Sequence, residues 1–182
     1  MSNPICTVMV GLPGLGKSTV VRKMTKSDPD VFVYSTDDLI EEWAADDGKT
    51  YDEVFEDCIK DATKEMDYLL TCAIRDGEDI IWDQTNTGMK KRKKIIDKMK
   101  QAGYNVECVC ICPPEKTHID DLKSWVWRLK TRPGKTIPDH VMKSMADNYV
   151  EPNTSEGFRK ITFYDMWGKI VGVEFNGIDK AS

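Results

Sequence analysis

Hydrophobic positions along the chain fall into two alternating rhythms. Ile5–Val10 is a short, mostly apolar run of strand length, and residues 31–34, 79–82 and 106–112 repeat it. Between these runs the apolar residues space out. Across 51–74, Val54, Cys58, Ala62, Met66, Leu69 and Ala73 recur at three- and four-residue steps, which is the stripe of an amphipathic helix. Residues 17–25, 39–45, 90–102, 117–130 and 138–149 carry shorter helical patterns. Gly103 supplies a C-terminal stop after 90–102, and Pro138 sits in the first turn of the last helix. The tail, 161–175, reads as two strands around Met166-Trp167-Gly168-Lys169, a hairpin. Strands alternating with helices predict an α/β fold, a parallel sheet with helices on both faces. No internal repeat or domain boundary interrupts the pattern, so residues 1–182 are expected to form a single domain. Residues 46–48 and 151–157 read as surface loops, and an extension over about 158–182 completes the chain.

Composition narrows the class. Hydrophobic residues make up 40% and charged residues 31%, the balance of a globular, water-soluble domain. No apolar run approaches the ~20 residues of a membrane span. No basic-then-apolar leader opens the chain, so a cytoplasmic protein is expected, in a host cytoplasm if the chain is phage-encoded. Cys108, Cys110 and Cys112 alternate along a strand and share one face. With His118 or His140 they would make a metal site. Without any C-x-x-C pair they read instead as small buried hydrophobes in a reducing compartment.

The net charge of −5 argues against indiscriminate polyanion binding, but the charges are unevenly spread. Residues 37–67 hold 13 acidic and 3 basic side chains; residues 88–135 hold 13 basic and 5 acidic ones. Either the basic half faces a polyanion, or two solvated helix faces happen to differ in sign.

The chemistry starts at Gly11-Leu12-Pro13-Gly14-Leu15-Gly16-Lys17-Ser18, followed by Thr19. This fits G-x-x-x-x-G-K-[ST], between a predicted strand and a predicted helix. Glycines let the backbone wrap closely, so that successive N–H groups point at phosphate oxygens, and the helix adds its positive dipole end. Gly11, Pro13, Gly14, Leu15, Gly16, Lys17, Ser18 and Thr19 are therefore the expected ATP cradle. Lys17 is expected to reach the β- and γ-phosphates, and the Ser18 hydroxyl to ligate Mg²⁺.

Two further clusters point to transfer of the γ-phosphate. Asp37 and Asp38 follow the second strand at the edge where open parallel sheets bind ligands. A carboxylate there takes the proton of an attacking hydroxyl, although one of the pair is also a candidate helix cap. Asp83, Gln84, Thr85 and Asn86 end the third strand at the same edge, as acceptor-site organisers, with Asp83 also a candidate to hold the metal through an intervening water. Arg128 and Arg132, four apart, share one face of a helix that breaks at Pro133-Gly134. A basic lid over about 126–137 is expected, with guanidinium groups on the transferring phosphoryl group. Trp125 and Trp127 beside it would stack a base or pack into the core. Lys90-Lys91-Arg92-Lys93-Lys94 opens a helix, where the dipole disfavours cations, and so suggests a polyanion partner or a solvated face.

Together these motifs resemble the kinase domain of phage-type 5′-hydroxyl polynucleotide kinases, within the P-loop kinase superfamily, over roughly residues 5–149. The resemblance implies a P-loop kinase fold with a helical lid. It implies that Asp37 activates the acceptor hydroxyl and that Arg132 contacts the transferring phosphate. Where that family commonly has an arginine soon after the Asp pair, this chain has Ile40. The family's Asp-Thr-Asn is lengthened to Asp83-Gln84-Thr85-Asn86. The expected activity is ATP- and Mg²⁺-dependent phosphorylation of a nucleic-acid hydroxyl, in DNA or RNA, foremost the 5′-end of a polynucleotide. The alternatives are a base hydroxymethyl group (5-hydroxymethyluracil) in phage DNA, a nucleoside, nucleotide or other small molecule, and a non-catalytic nucleotide-dependent binding module. No membrane partner is expected, and oligomeric state is left open.

Overall fold

The computed structural model describes residues 3–115 and 117–177. Element order is β1 (Ile5–Val10), α1 (Lys17–Ser27), β2 (Phe32–Tyr34), α2 (Thr36–Asp46), α3 (Tyr51–Asp76), β3 (Ile80–Trp82), α4 (Met89–Gln101), β4 (Asn105–Ile111), α5 (Ile119–Lys130), α6 (Asp139–Asp147), β5 (Lys160–Tyr164) and β6 (Ile170–Phe175). One six-stranded sheet runs in the order β2-β3-β1-β4-β5-β6. The first five strands are parallel, and β6 returns antiparallel to β5 as the expected hairpin. The tail therefore completes the sheet. A single parallel sheet places the ends of β1, β2, β3, β4 and β5 at one edge, and the predicted phosphate loop, Asp37, Asp38 and Asp83 lie there.

Both faces of the sheet are covered, as buried parallel strands require. On one face Met66 and Leu70 of α3 and Ile95, Ile96 and Met99 of α4 pack on Cys6, Val8, Trp82 and Cys108. On the other, Val20 and Val21 of α1 pack on Met9, Ile81 and Val109, with Trp125 of α5 at the margin. A smaller core joins Ile40 and Ala44 of α2 to Val54 and Ala62 of α3. Cys108 and Cys110 are buried, Cys112 is half-buried, and all three are free thiols packed toward α4. His118 precedes α5 and His140 lies in α6, both exposed and off the strand that carries the cysteines. No described helix is long and apolar enough to cross a membrane.

Two expectations change. Neither Asp37 nor Asp38 caps α2: the cap is Ser35, whose hydroxyl accepts from the Asp38 amide at 3.2 Å. The helix thus begins about one turn earlier, and both aspartates ride in its first turn, where the dipole favours them. Residues 151–157 are more than a surface loop. They hold a short 3-10 turn, Thr154–Glu156, whose Glu156 is buried against Arg92 of α4. Arg92 is fully buried, so it is no part of a basic surface. Its Nε and Nη2 donate to the two Glu156 carboxylate oxygens at 2.8 and 2.7 Å, and Nη1 donates to the carbonyls of Asn86, Thr87 and Val150.

Candidate active site

The loop between β1 and α1 is held open by two glycines in the left-handed region. Gly14 has φ +77, and a Cβ there would lie 2.9 Å from Leu129 of α5. Gly16 has φ +99, and a Cβ would meet the Met166 carbonyl at 3.4 Å. Any side chain would strain the backbone at either position, and at Gly14 the Leu129 side chain would also have to shift. The indole Nε1 of Trp125 donates to the Pro13 carbonyl at 2.8 Å, so α5 lies directly on the loop. Trp125 is thus committed to packing, while Trp127 stays exposed.

Lys17 donates to the Gly11 carbonyl at 2.9 Å and more weakly toward Leu12. These bonds park the ammonium across the cradle. Burial pulls its pKa down to about 8, against the attraction of Asp83 and Asp37, with Arg132 and Lys135 pushing the same way as burial. Asp83 moves the other way, up to about 6, because desolvation and the nearby Asp38 and Asp37 outweigh Lys17. Desolvation raises Asp38 as well. A desolvated carboxylate such as Asp83 regains its charge when a cation binds beside it. The Ser18 hydroxyl, exposed in the cradle, and Asp83 are the oxygen donors that would hold Mg²⁺.

Cradle and carboxylates share one cavity of about 1130 Å³. Of the predicted residues, Pro13, Gly14, Gly16, Lys17, Ser18, Thr19, Asp37, Asp38, Asp83, Gln84, Thr85, Arg128 and Arg132 line it. Gly11 and Leu15 are buried behind the loop as its frame. Asn86 is corrected: it is fully buried with φ +45, and its amide donates to the Met9 carbonyl at 2.8 Å, so it staples the β3–α4 turn to β1 and does not face the cavity. The lengthened loop still serves the site, since the Thr85 carbonyl accepts from the Gly11 amide at 3.0 Å.

Arg128 turns toward the β5–β6 hairpin. Its Nη1 donates to the Met166 carbonyl at 2.9 Å, and its guanidinium stacks 4.6 Å from the Trp167 ring centroid. Arg132, half-buried past the end of α5, lies near enough to act on both Lys17 and Tyr51 electrostatically. Asp37, half-exposed, accepts from the Tyr51 hydroxyl at 3.0 Å on Oδ1 and from Lys135 Nζ at 2.8 Å on Oδ2. Each oxygen keeps a lone pair for an acceptor proton. Sequence reasoning missed Tyr51 and Lys135. The available signal was weak: a lysine just after the Pro133-Gly134 break and a tyrosine opening a helix. Ile40 is packed against α3, fully buried, so α2 shows the cavity Asp37, Asp38 and Glu41.

A family model described as an AAA domain, AAA_33, matches residues 7–152. The chain belongs to that family. Its fold is that of P-loop kinases. It is similar to a protein solved in work on the PezAT toxin–antitoxin system of Streptococcus pneumoniae, at 20% identity and TM-score 0.64, over 95% of this chain and 72% of that one. A putative kinase from Chloroflexus aurantiacus matches at 12% identity and TM-score 0.62, over 90% and 89%. A fungal RNA kinase matches at 15% identity and TM-score 0.55, over 91% and 76%. At these identities the likeness is one of fold.

Proposed function

We propose that this chain is an ATP-dependent kinase that transfers the γ-phosphate to a hydroxyl of a nucleic acid, foremost the 5′-hydroxyl of a polynucleotide. The observation that carries the reading is the half-exposed Asp37 carboxylate in the same cavity as Lys17 and Ser18. In the reaction Asp37 accepts the hydroxyl proton, the oxygen attacks the γ-phosphorus, and the bond to the β–γ bridging oxygen breaks to release ADP. Lys17 leaves its loop carbonyls for the phosphates. Arg132 balances charge on the transferring group. Ser18 and Asp83 would hold Mg²⁺, which would neutralise charge on the phosphate oxygens. The fold likeness to an RNA kinase and the exposed lysines of α4 support a polynucleotide acceptor.

A second reading, a hydroxymethyl group on a base, draws support from the acceptor wall. Glu41 stands there bonded to Lys135, and Tyr51 and Phe55 offer aromatic surface beside Asp37. Both readings are tested by transfer of labelled γ-phosphate to a panel: hydroxyl-ended DNA and RNA, DNA carrying hydroxymethylated pyrimidines, and free nucleosides. Label is expected on a polynucleotide, with Asp37→Asn slower by about 10²–10⁴-fold. Label on nucleosides alone, or an Asp37→Asn variant of full rate, refutes the proposal.

A further inference from the structure

Lys135 lies in the connector between α5 and α6, three residues beyond Arg132. Its side chain is only 9% exposed, although lysine seldom hides. Its ammonium donates at 2.8 Å to Asp37 and at 2.8 Å to Glu41, and sits 4.0 Å from the Tyr51 ring centroid. One lysine thus binds two residues of α2 and one of α3. The backbone around it is also tied to α3. The Thr136 amide donates to both Asp52 carboxylate oxygens, at 3.0 and 2.8 Å, and the Asp52 amide donates to the Gly134 carbonyl at 3.1 Å. Gly134 presses on Thr50, where an added Cβ would approach to 3.0 Å.

We infer that Lys135 is a positioning residue that couples the lid to the base. This rests on the kinase reading above. A carboxylate on the first turn of a helix rotates freely unless held. Lys135 and Tyr51 hold one oxygen each, which leaves lone-pair capacity on a carboxylate that lines the cavity. The same lysine fixes the far end of the connector, and so sets the reach of Arg132 from the acceptor side. Base and lid arginine are therefore held through the same lysine, alongside the Asp52 bonds to the connector. Glu41 is the second anchor: it holds the ammonium in line when Asp37 takes up a proton and its bond to Lys135 weakens.

The coupling predicts a specific split. Lys135→Met keeps the buried stem and removes the charge. Its kcat is expected to fall about 100-fold, since the geometry of the reacting atoms loosens. Its KM for ATP is expected to stay within about twofold, because the cradle is untouched. Glu41→Gln is expected to cost kcat about tenfold in the same pattern. Hydrogen exchange on the intact, ligand-free chain gives a readout that needs no activity: the Asp52 and Thr136 amides are expected to exchange at least about tenfold faster in Lys135→Met. A wild-type chain that phosphorylates no acceptor, with the exchange result as expected, would sink the kinase reading and leave the coupling standing. Unchanged exchange at both amides, or a full kcat in a folded Lys135→Met, overturns the coupling.

Discussion

Lys17 and Asp83 sit side by side with their pKa values drawn toward neutrality from opposite directions, to about 8 and about 6. The signs give a pH prediction. Below about 6 Asp83 is protonated in the free protein and no longer offers a carboxylate to the metal. Above about 8 Lys17 is neutral and no longer meets the phosphates. Because kcat/KM reports ionisations of the free enzyme, its profile for ATP–Mg²⁺ is expected to be a bell with limbs near those values. Asp83→Asn should flatten the acid limb and leave the basic one. A profile level from about pH 7 to about 9.5 would show that Lys17 does not titrate there. Lys17 and Ser18 were legible in the sequence because the G-x-x-x-x-G-K-S spacing fixes their place, and Asp37 because it lies just past β2. Lys135 was not, because its partner Asp37 lies 98 residues away and no periodicity reports a pairing of that range.

Among the elements, strands and helices were read close to their observed bounds, since short apolar runs buried on both faces and helical stripes each leave a direct trace. The failures came where a polar residue serves the frame. Arg92 looked like one cation among five, yet it alone of Lys90–Lys94 is buried, and it fastens α4 and the β3–α4 turn to the segment entering β5. Asn86 looked like a site residue and is a backbone staple in the same knot. A guanidinium with a bidentate carboxylate and three carbonyls leaves many groups unpaired when removed. Arg92→Met should therefore destabilise the fold by about 3–5 kcal/mol, read as a lowered midpoint in denaturant unfolding. Glu156→Gln should cost less, since it keeps the shape and two polar atoms. If Arg92→Met unfolds at the wild-type midpoint, the clamp carries no net stability.

At the scale of the whole molecule, the two signs of charge are carried by different helices. α2 and the first half of α3 carry the acidic stretch, and α4 shows Lys90, Lys91, Lys93 and Lys94 to solvent. Lys93 is paired with Asp97, which leaves Lys90, Lys91 and Lys94 as the more available cations. Desolvation lowers the pKa of Lys91 against the pull of Asp37, so the first turn of the basic helix lies within electrostatic reach of Asp37. A strand entering there would have its phosphates drawn to α4 and pushed from α2. That asymmetry converts into a salt measurement. Each neutralised phosphate contributes about 0.7 to the slope of log affinity against log salt on a single strand. Replacing Lys90, Lys91 and Lys94 by Gln should raise the KM for an oligonucleotide acceptor and flatten its salt slope by about 0.7 for each phosphate no longer neutralised. The KM for ATP should hold, because none of the three lysines lines the cradle. An unchanged slope would assign the lysines to solvent and return the acceptor question to the small space between Asp37, Tyr51 and Phe55.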